Sequence, residues 1–306
     1  MRIHFGLPAD RLGPSALAIG SFDGVHLGHR SVLERLGAMA RSQDLQAACI
    51  TFDPHPRCVL DPANCPAQIT TLEERLQLVR PLGVREAIVL EFTPSLAALT
   101  AEVFMERLLA AADLRCLVVG YDFALGRARA GNVDWLRAHG AEHGYGVEVV
   151  EPVRLGDREV HSSEVRRLLT LGEAEMANRL LGREFAMAGL VEPGDRIGRG
   201  IGWPTVNLAV PPTKLVPGRG IYAGWADTPH GTFQAAISVG YRPTFHKTEL
   251  RVEAYLLDFT GDLYQQRLEL RFVARLRDEA QYPDASSLSA QIARDVEETR
   301  RMLRGR

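Results

Sequence analysis

Apolar positions in the first half of the chain fall in short unbroken runs separated by amphipathic stretches, which predicts strands and helices taking turns. Residues 16–22 read as a buried strand, followed by a turn and then HRSVLERLGAMARSQ, where Val32, Leu33, Leu36, Met39 and Ala40 share one helical face. Next come strand-like LQAACITF, helical TLEERLQLVRPLG, strand-like EAIVLEF, helical SLAALTAEVFMERLLAAAD, strand-like LRCLVVGYDF, helical GNVDWLRAHGAEHG and strand-like GVEVVEPV. Strands that are apolar throughout and alternate with helices predict a parallel sheet covered on both faces. Residues 162–182, SSEVRRLLTLGEAEMANRLLG, read as one helix or two short ones. After Arg183 the rhythm changes to short runs divided by Gly and Pro: FAMAGLVEPGD, TVNLAV, GIYAGWAD, TFQAAISVG, RVEAYLLDF and RLELRFVARLR. Runs at this spacing predict a small antiparallel barrel. A last helix from about Ser287 carries Leu288, Ile292, Val296 and Leu303 on one side. The expected organisation is an α/β domain over 1–182 and a β-barrel domain over 183–306 that ends in a helix.

A chain of 306 residues has room for two domains with a core each, and 46% hydrophobic with 24% charged residues is the composition of an ordered globular protein. The formal net charge of −2 provides no global basic field, so a nucleic-acid partner is not expected. Lysine occurs only at Lys214 and Lys247. Phosphate binding must therefore fall to arginine, backbone N–H groups or a metal, with no Walker lysine to serve. Cys49, Cys58, Cys65 and Cys116 form no CxxC pair, and the expectation is four free thiols, buried or partly buried, in a reducing cytosol. The segment MRIHFGLPADRLG lacks the apolar stretch of a secretory signal, and no run reaches the ~18 apolar residues of a membrane span. A cytoplasmic location is expected, with no membrane partner. The sequence leaves a homo-oligomer open.

Candidate chemistry concentrates first in AIGSFDGVHLGHR, residues 18–30, where a strand end runs through a glycine turn into a helix. Ligands bind at such places in open α/β sheets, because a helix start offers unpaired N–H groups and a positive dipole end. Gly24 would let the backbone approach a phosphate, and His26 and His29, three apart, can face the same way as donors. A metal pair or a structural histidine turn are the alternatives, although no third His or Cys ligand is apparent nearby.

GSFDGVHLGH resembles the GxFDGxHxGH signature of the HxGH nucleotidyltransferases, in the form found in bacterial bifunctional riboflavin kinase/FAD synthetases. Three further stretches resemble the same family. TFDPHP, 51–56, is similar to its F-x-PHP segment on the flavin side of the cleft, though a Pro-terminated strand end would look alike. VGYDFALGRARAGN, 119–132, is similar to its GxDFxFG element, with Leu125 where an aromatic is usual. HSSEVRR, 161–167, resembles SS[ST]xIR, with His161 replacing the first serine. Two hydroxyls and an arginine at a helix start can cradle phosphate, or can be a plain serine cap before a charged face. The resemblance implies a Rossmann-like nucleotidyltransferase domain. It places ATP with Gly20, Phe22, Asp23, Gly24, His26, His29, Ser162, Ser163 and Arg166, and flavin with His55, Pro56 and Asp122. His26 and His29 would stabilise the charge that develops in adenylyl transfer.

GDRIGRGIGWPTVNL, 194–208, is not a dinucleotide fingerprint, because its third glycine leads into Trp-Pro within a β-rich region. It resembles instead the riboflavin kinase GRxxGxPTxN motif. On that resemblance Gly198, Arg199 and Gly202 would lie over ATP, and Thr205 and Asn207 would offer neutral oxygens to Mg²⁺. In LRVEAYLLDF, Arg251, Glu253 and Tyr255 share one side of a strand. A carboxylate there can be solvated or paired with Arg251; in the family this glutamate position is the general base. SVGYRPTF, DLY and LRDE extend the resemblance, and Arg277 in the last would touch flavin or join a surface ion pair. The implied activities are phosphorylation of riboflavin to FMN in the barrel and adenylylation of FMN to FAD in the first domain. ATP and Mg²⁺ would serve both, and the partners would be small molecules. Two rivals remain: a single-activity FMN adenylyltransferase whose barrel binds flavin without catalysis, and a flavin-binding regulator. Intact Thr205, Asn207 and Glu253 speak against the first, and the polar residues kept in both phosphate sites speak against the second.

Overall fold

The computed structural model describes residues 1–193, 197–243 and 248–305, with backbone alone at 197, 199, 242, 243, 248 and 249. By packing, the chain divides into two units, Met1–Ser162 and Ser163–Arg306.

The first unit is built on a six-stranded sheet. Its strands are β1 (Arg2–Phe5), β2 (Leu12–Ile19), β3 (Gln46–Asp53), β4 (Glu86–Glu91), β5 (Ala112–Gly120) and β6 (Gly146–Val150). They lie in the order β1-β4-β3-β2-β5-β6, every pair parallel. The apolar runs split by side-chain alternation. Leu17, Ile19, Ala48, Ile50, Ile88, Leu90, Leu117 and Val119 pack on one face against Phe104, Met105, Leu108 and Leu136. Ala16, Ala18, Ala47, Cys49, Ala87, Val89, Cys116 and Val118 pack on the other against Val32, Leu33, Leu36, Leu76 and Val79. The helices are α1 (Leu27–Ser42) and α2 (Leu72–Val79) on the second face, and α3 (Ala101–Ala111) and α4 (Val133–His143) on the first.

Three boundaries differ from expectation for local reasons. The helix expected over 95–113 is two, Pro94–Ala97 and α3, because Thr100 accepts the Val103 N–H at 3.3 Å and starts α3 afresh. α2 opens in a capping box between Thr71 and Glu74 and ends before Pro81, giving way to a 3₁₀ turn. β1 was not legible because RIHF alternates over four residues only and its apolar Ile3 and Phe5 stay exposed; its register on β4 gives it its place.

One expectation is overturned. Cys49 and Cys116 are buried free thiols, but Cys58 and Cys65 are joined in a disulfide. A short helix, Pro56–Leu60, and a 3₁₀ turn, Pro62–Asn64, bring them together although no strand or CxxC spacing announces it.

The second unit holds α5 (Ser162–Thr170, from Ser163 on), α6 (Ala174–Leu181), a closed barrel and α7 (Ala285–Leu303). The barrel strands are β7 (Phe185–Glu192), β8 (Val206–Ala209), β9 (Gly220–Thr228), β10 (Gly231–Pro243), β11 (Thr248–Leu256) and β12 (Arg267–Arg277). All pairs are antiparallel, in the order β7-β8-β11-β10-β9-β12, with β12 returning to β7. Phe185, Met187, Tyr222, Ile237, Val239, Ala254, Leu270 and Phe272 are buried. The helical pair 163–181 groups with the barrel because Asn178 donates to the Phe272 carbonyl at 2.7 Å and accepts the Phe185 N–H at 2.7 Å, while Gly218 N–H reaches the Leu169 carbonyl at 2.8 Å.

Candidate functional site

Two clusters of polar side chains are the candidates for the chemistry, one in each unit. In the first, β2 ends at Ile19 and the chain turns sharply into α1. Phe22 and Val25 hold left-handed φ values of 48° and 38°, and Gly24 has φ 85°. Non-glycine residues in that region carry strain, which persists only where the surroundings over-determine it. Asp23 does this. It is 0% exposed, and its carboxylate accepts the Ile69 N–H at 3.1 Å, the Thr70 N–H at 2.9 Å and the Thr70 hydroxyl at 3.1 Å. The Gly24 N–H donates to Thr70 Oγ1 at 2.9 Å, and a Cβ on Gly24 would stand 3.0 Å from Ile69. Asp23 is thus turned into the protein.

The histidines sit where the motif puts them. His26 caps α1, its Nδ1 accepting the His29 N–H at 3.3 Å, and the two rings stack with centroids 3.7 Å apart. Phe22 meets His29 edge-on at 5.4 Å. Ser162 donates to the Asp23 carbonyl at 3.0 Å, which joins the serine to the turn across 139 residues of sequence. Ser163 and Arg166 lie one helical turn apart on α5. His161, the departure from the motif, pairs with Glu159 at 3.0 Å.

Sequence reasoning missed Arg75. It is 1% exposed, behind the turn, and Nη1 donates to Thr51 Oγ1 at 3.0 Å and to the Phe52 carbonyl at 2.9 Å. Thr51 in turn donates to the Ser21 carbonyl at 2.9 Å. Arg75 Nε and Nη2 have no hydrogen-bond partner among the described residues. Burial pulls its pKa below the ordinary value, opposed by Asp23 and Asp53. Its only advance signal was an arginine on the apolar side of a predicted helix.

Beside the turn lies a cavity of about 640 Å³ lined by Gly20, Phe52, His55, Phe92, Phe123 and Leu125, with arginines at 57 and 129. Such a volume, mostly apolar with a few polar groups, suits a flat heteroaromatic ligand. His55 and Pro56 therefore line it as expected, and Leu125 fills the place noted for an aromatic. Asp122 does not line it: its carbonyl accepts from Arg129 at 2.6 Å and its side chain is exposed.

In the barrel, β8 pairs with β11 so that Asn207 stands opposite Glu253, and Thr205 donates to Glu253 Oε2 at 3.3 Å. Asn207 Oδ1 is buried with no hydrogen-bond partner among the described residues. An orphaned amide oxygen beside a hydroxyl and a carboxylate is an all-oxygen donor set of the kind a hard divalent cation takes, so these residues fit Mg²⁺. The glycine loop closes on itself, the Trp203 N–H reaching the Gly198 carbonyl at 2.7 Å. A Cβ on Gly198 would collide with the Trp203 carbonyl oxygen. The Trp203 indole donates to Ser289 of α7 at 2.9 Å. Gly202 has φ 87° and is exposed. The Arg199 side chain, Gly194–Arg196 and the Thr244–Phe245 end of the SVGYRPTF run lie outside the described residues.

Arg277 is not brought to this cluster. Its guanidinium makes two parallel bonds to Asp295 of α7, at 2.9 and 2.6 Å, and a third to the Asp278 carbonyl at 2.8 Å. Asp295 is buried, and its hydrogen bonds raise the arginine's pKa further. The ion-pair alternative describes this residue.

A family model of FAD synthetase matches residues 9–164, and one of riboflavin kinase matches 181–303. A protein of Listeria monocytogenes named bifunctional riboflavin kinase/FMN adenylyltransferase is 34% identical over 93% of this chain and 91% of its own. The chain belongs to the bifunctional riboflavin kinase/FMN adenylyltransferase family. A relative of that name in Escherichia coli K12 is also 34% identical, over 91% of this chain and 90% of its own. A Streptococcus pneumoniae crystal structure, titled a macrolide-efflux protein, superposes with a TM-score of 0.85 at 28% identity, covering 97% of this chain and 95% of that one. The efflux in that title is said of that protein; this family member has, among its described residues, no helix long and apolar enough to cross a membrane.

Proposed function

We propose that the chain is a bifunctional flavin-cofactor enzyme. Residues 183–306 phosphorylate riboflavin to FMN with ATP, and residues 1–182 adenylylate FMN to FAD with a second ATP, releasing pyrophosphate. The functional division stays at 182/183 although packing groups 163–181 with the barrel, because Ser163 and Arg166 belong to the same HSSEVRR run as Ser162.

In the kinase half, Glu253 takes the proton from the ribityl hydroxyl as that oxygen attacks the γ-phosphorus of ATP and ADP leaves. Thr205, donating to Glu253, orients the carboxylate and, with Asn207 Oδ1, holds Mg²⁺. The metal, when bound, neutralises charge on the transferring phosphoryl oxygens. Gly198, Arg199 and Gly202 cover the phosphates, and Arg277 positions α7 on the barrel without touching flavin. In the adenylyltransferase half the FMN phosphate attacks the α-phosphorus of ATP. The chemistry is positioning and charge stabilisation, supplied by His26, His29, Ser162, Ser163 and Arg166. Backbone at Gly20, Phe22 and Gly24 approaches the nucleotide, and Asp23 keeps that backbone in place. The isoalloxazine ring occupies the cavity lined by His55 and Pro56, while Asp122 stays outside it. ATP, riboflavin and FMN are the small-molecule partners, and a cytoplasmic location agrees with those substrates.

The observation that carries two activities over one is the barrel cluster itself. A barrel that only bound flavin would have no use for a buried amide oxygen left without a partner beside Thr205 and Glu253. The test is incubation with riboflavin, ATP and Mg²⁺, with riboflavin, FMN and FAD resolved by chromatography. FMN and then FAD are expected; riboflavin left untouched while added FMN becomes FAD would establish the single-activity alternative.

A further inference from the structure

The Cys58–Cys65 disulfide has no part in either reaction, and it closes a ring on the wall of the flavin cavity. His55, Pro56, Arg57 and Leu60 line that cavity, and all four lie in or directly before the ringed segment. Leu60 is 65% exposed, so few contacts besides the segment's own fold hold it at the cavity mouth. That fold is local: the helix Pro56–Leu60, the 3₁₀ turn Pro62–Asn64, and bonds between Asn64 and Asp61 at 2.9 and 3.1 Å. A five-residue helix is not stable by itself, so the cross-link carries much of its order. We propose that this pair is a thiol–disulfide exchange site, reacting with small thiols of the glutathione class, and that its redox state sets the affinity of the adenylyltransferase half for FMN.

The exchange balances without another reactant. Cys65 is exposed and Cys58 is half-buried, so an incoming thiolate attacks Cys65 Sγ, the Sγ–Sγ bond breaks, and Cys58 leaves as thiolate. A second thiolate then resolves the mixed disulfide, leaving two protein thiols and one molecule of oxidised small thiol; the reverse sequence closes the ring. In a reducing cytosol a disulfide is usually transient and redox-sensing rather than structural. The consequence follows from preorganisation: closed, the ring holds Arg57 and Leu60 in place before FMN arrives, and open, FMN must order them on binding.

The inference rests on the adenylyltransferase reading, and the riboflavin kinase activity of the same chain is the internal control. The full chain is equilibrated with reduced or with oxidised glutathione. The state of the pair is read by native alkylation and mass shift, since burial pushes the Cys49 thiol up to about 12 and the Cys116 thiol to about 11, keeping both unreactive. Opening the pair is expected to raise KM for FMN about threefold to tenfold, the cost of ordering one or two long side chains, with KM for riboflavin unchanged. The double variant Cys58→Ser, Cys65→Ser should match the open enzyme and ignore glutathione. Equal KM for FMN in the two verified states overturns the inference. A parallel change in both activities, or a pair that glutathione cannot open and close, overturns it as well. No FAD from either state would overturn this inference and the adenylyltransferase reading together.

Discussion

The turn at 20–29 and the loop at 198–205 both bear glycines and are both proposed to approach a phosphate, yet they are held in unlike ways. The turn is locked from beneath: Asp23 is fully buried and spends both carboxylate oxygens on residues 69 and 70, against strained backbone at Phe22 and Val25. Among the described residues the loop has two internal bonds, Ile201 N–H and Trp203 N–H to the Gly198 carbonyl, a tether from Trp203 to Ser289, and exposed positions at Gly200 and Gly202. Its chemistry is not on the loop at all. Asn207 and Glu253 face each other in strand register, on the rigid barrel wall. In the turn, then, geometry and fold are one structure, whereas in the barrel the strands hold the proposed reacting groups and the loop is held apart from them. Damage to the turn should cost stability and activity together; damage to the loop should cost activity alone.

The largest effect expected is from Glu253→Gln, which removes the proposed base from the wall. Riboflavin phosphorylation should fall by about 10²–10⁴ in kcat, with FMN adenylylation and the melting temperature kept. A parent rate of FMN formation would show that another group takes the proton. His29→Ala should do the converse, lowering FAD formation from added FMN by about 10²–10³ while phosphorylation continues. Arg277→Leu sharpens the comparison from the structural side. It leaves the buried Asp295 carboxylate without its bidentate partner, and about 2 kcal/mol of stability should go, read by denaturant unfolding, with KM for riboflavin within about twofold. That figure is set below the fully buried case because the Arg277 side chain is 24% exposed. The smallest effects come from a matched pair. Gly24→Ala meets both the left-handed φ and Ile69, so about 1–2 kcal/mol of stability should be lost along with FAD formation. Gly198→Ala should instead raise the kinase's KM for ATP by a few-fold, as the loop, half-buried at Gly198 and exposed at Gly200 and Gly202, moves off the Trp203 carbonyl, with a stability loss below that of Gly24→Ala. Equal stability losses in that pair would end the contrast drawn between turn and loop.

Much of this was legible beforehand, and the reasons are particular. Ala16–Ile19 and Ala47–Ile50 read as buried strands because both faces of the sheet are covered, so no polar alternation interrupts them. His26, His29, Thr205 and Glu253 could be named as candidates because their motifs are contiguous or one strand long. Arg75, the arginines at 57 and 129, and the phenylalanines of the cavity beside the turn could not be, because each is placed there by neighbours far along the chain. The Arg277 pair with Asp295 and the exposed position of Asp122 were not legible for the same reason: a lone charged residue beside a motif says nothing of its partners in the fold.

Periodicity and spacing, then, gave most of the strands and helices and an α/β part followed by a β part, while the resemblance of the motifs supplied the candidate residues for phosphate chemistry. These properties follow from near neighbours in the chain, where a two- or 3.6-residue repeat is itself the physical signal. Only the folded chain decided that Asp23 is an internal brace, that Asn207 meets Glu253 across a ladder, that Arg277 clamps a helix, and that Cys58 and Cys65 join. Each of those depends on the geometry of partners brought together by turns and register, and pairing energies of that kind leave no periodic trace in the order of residues.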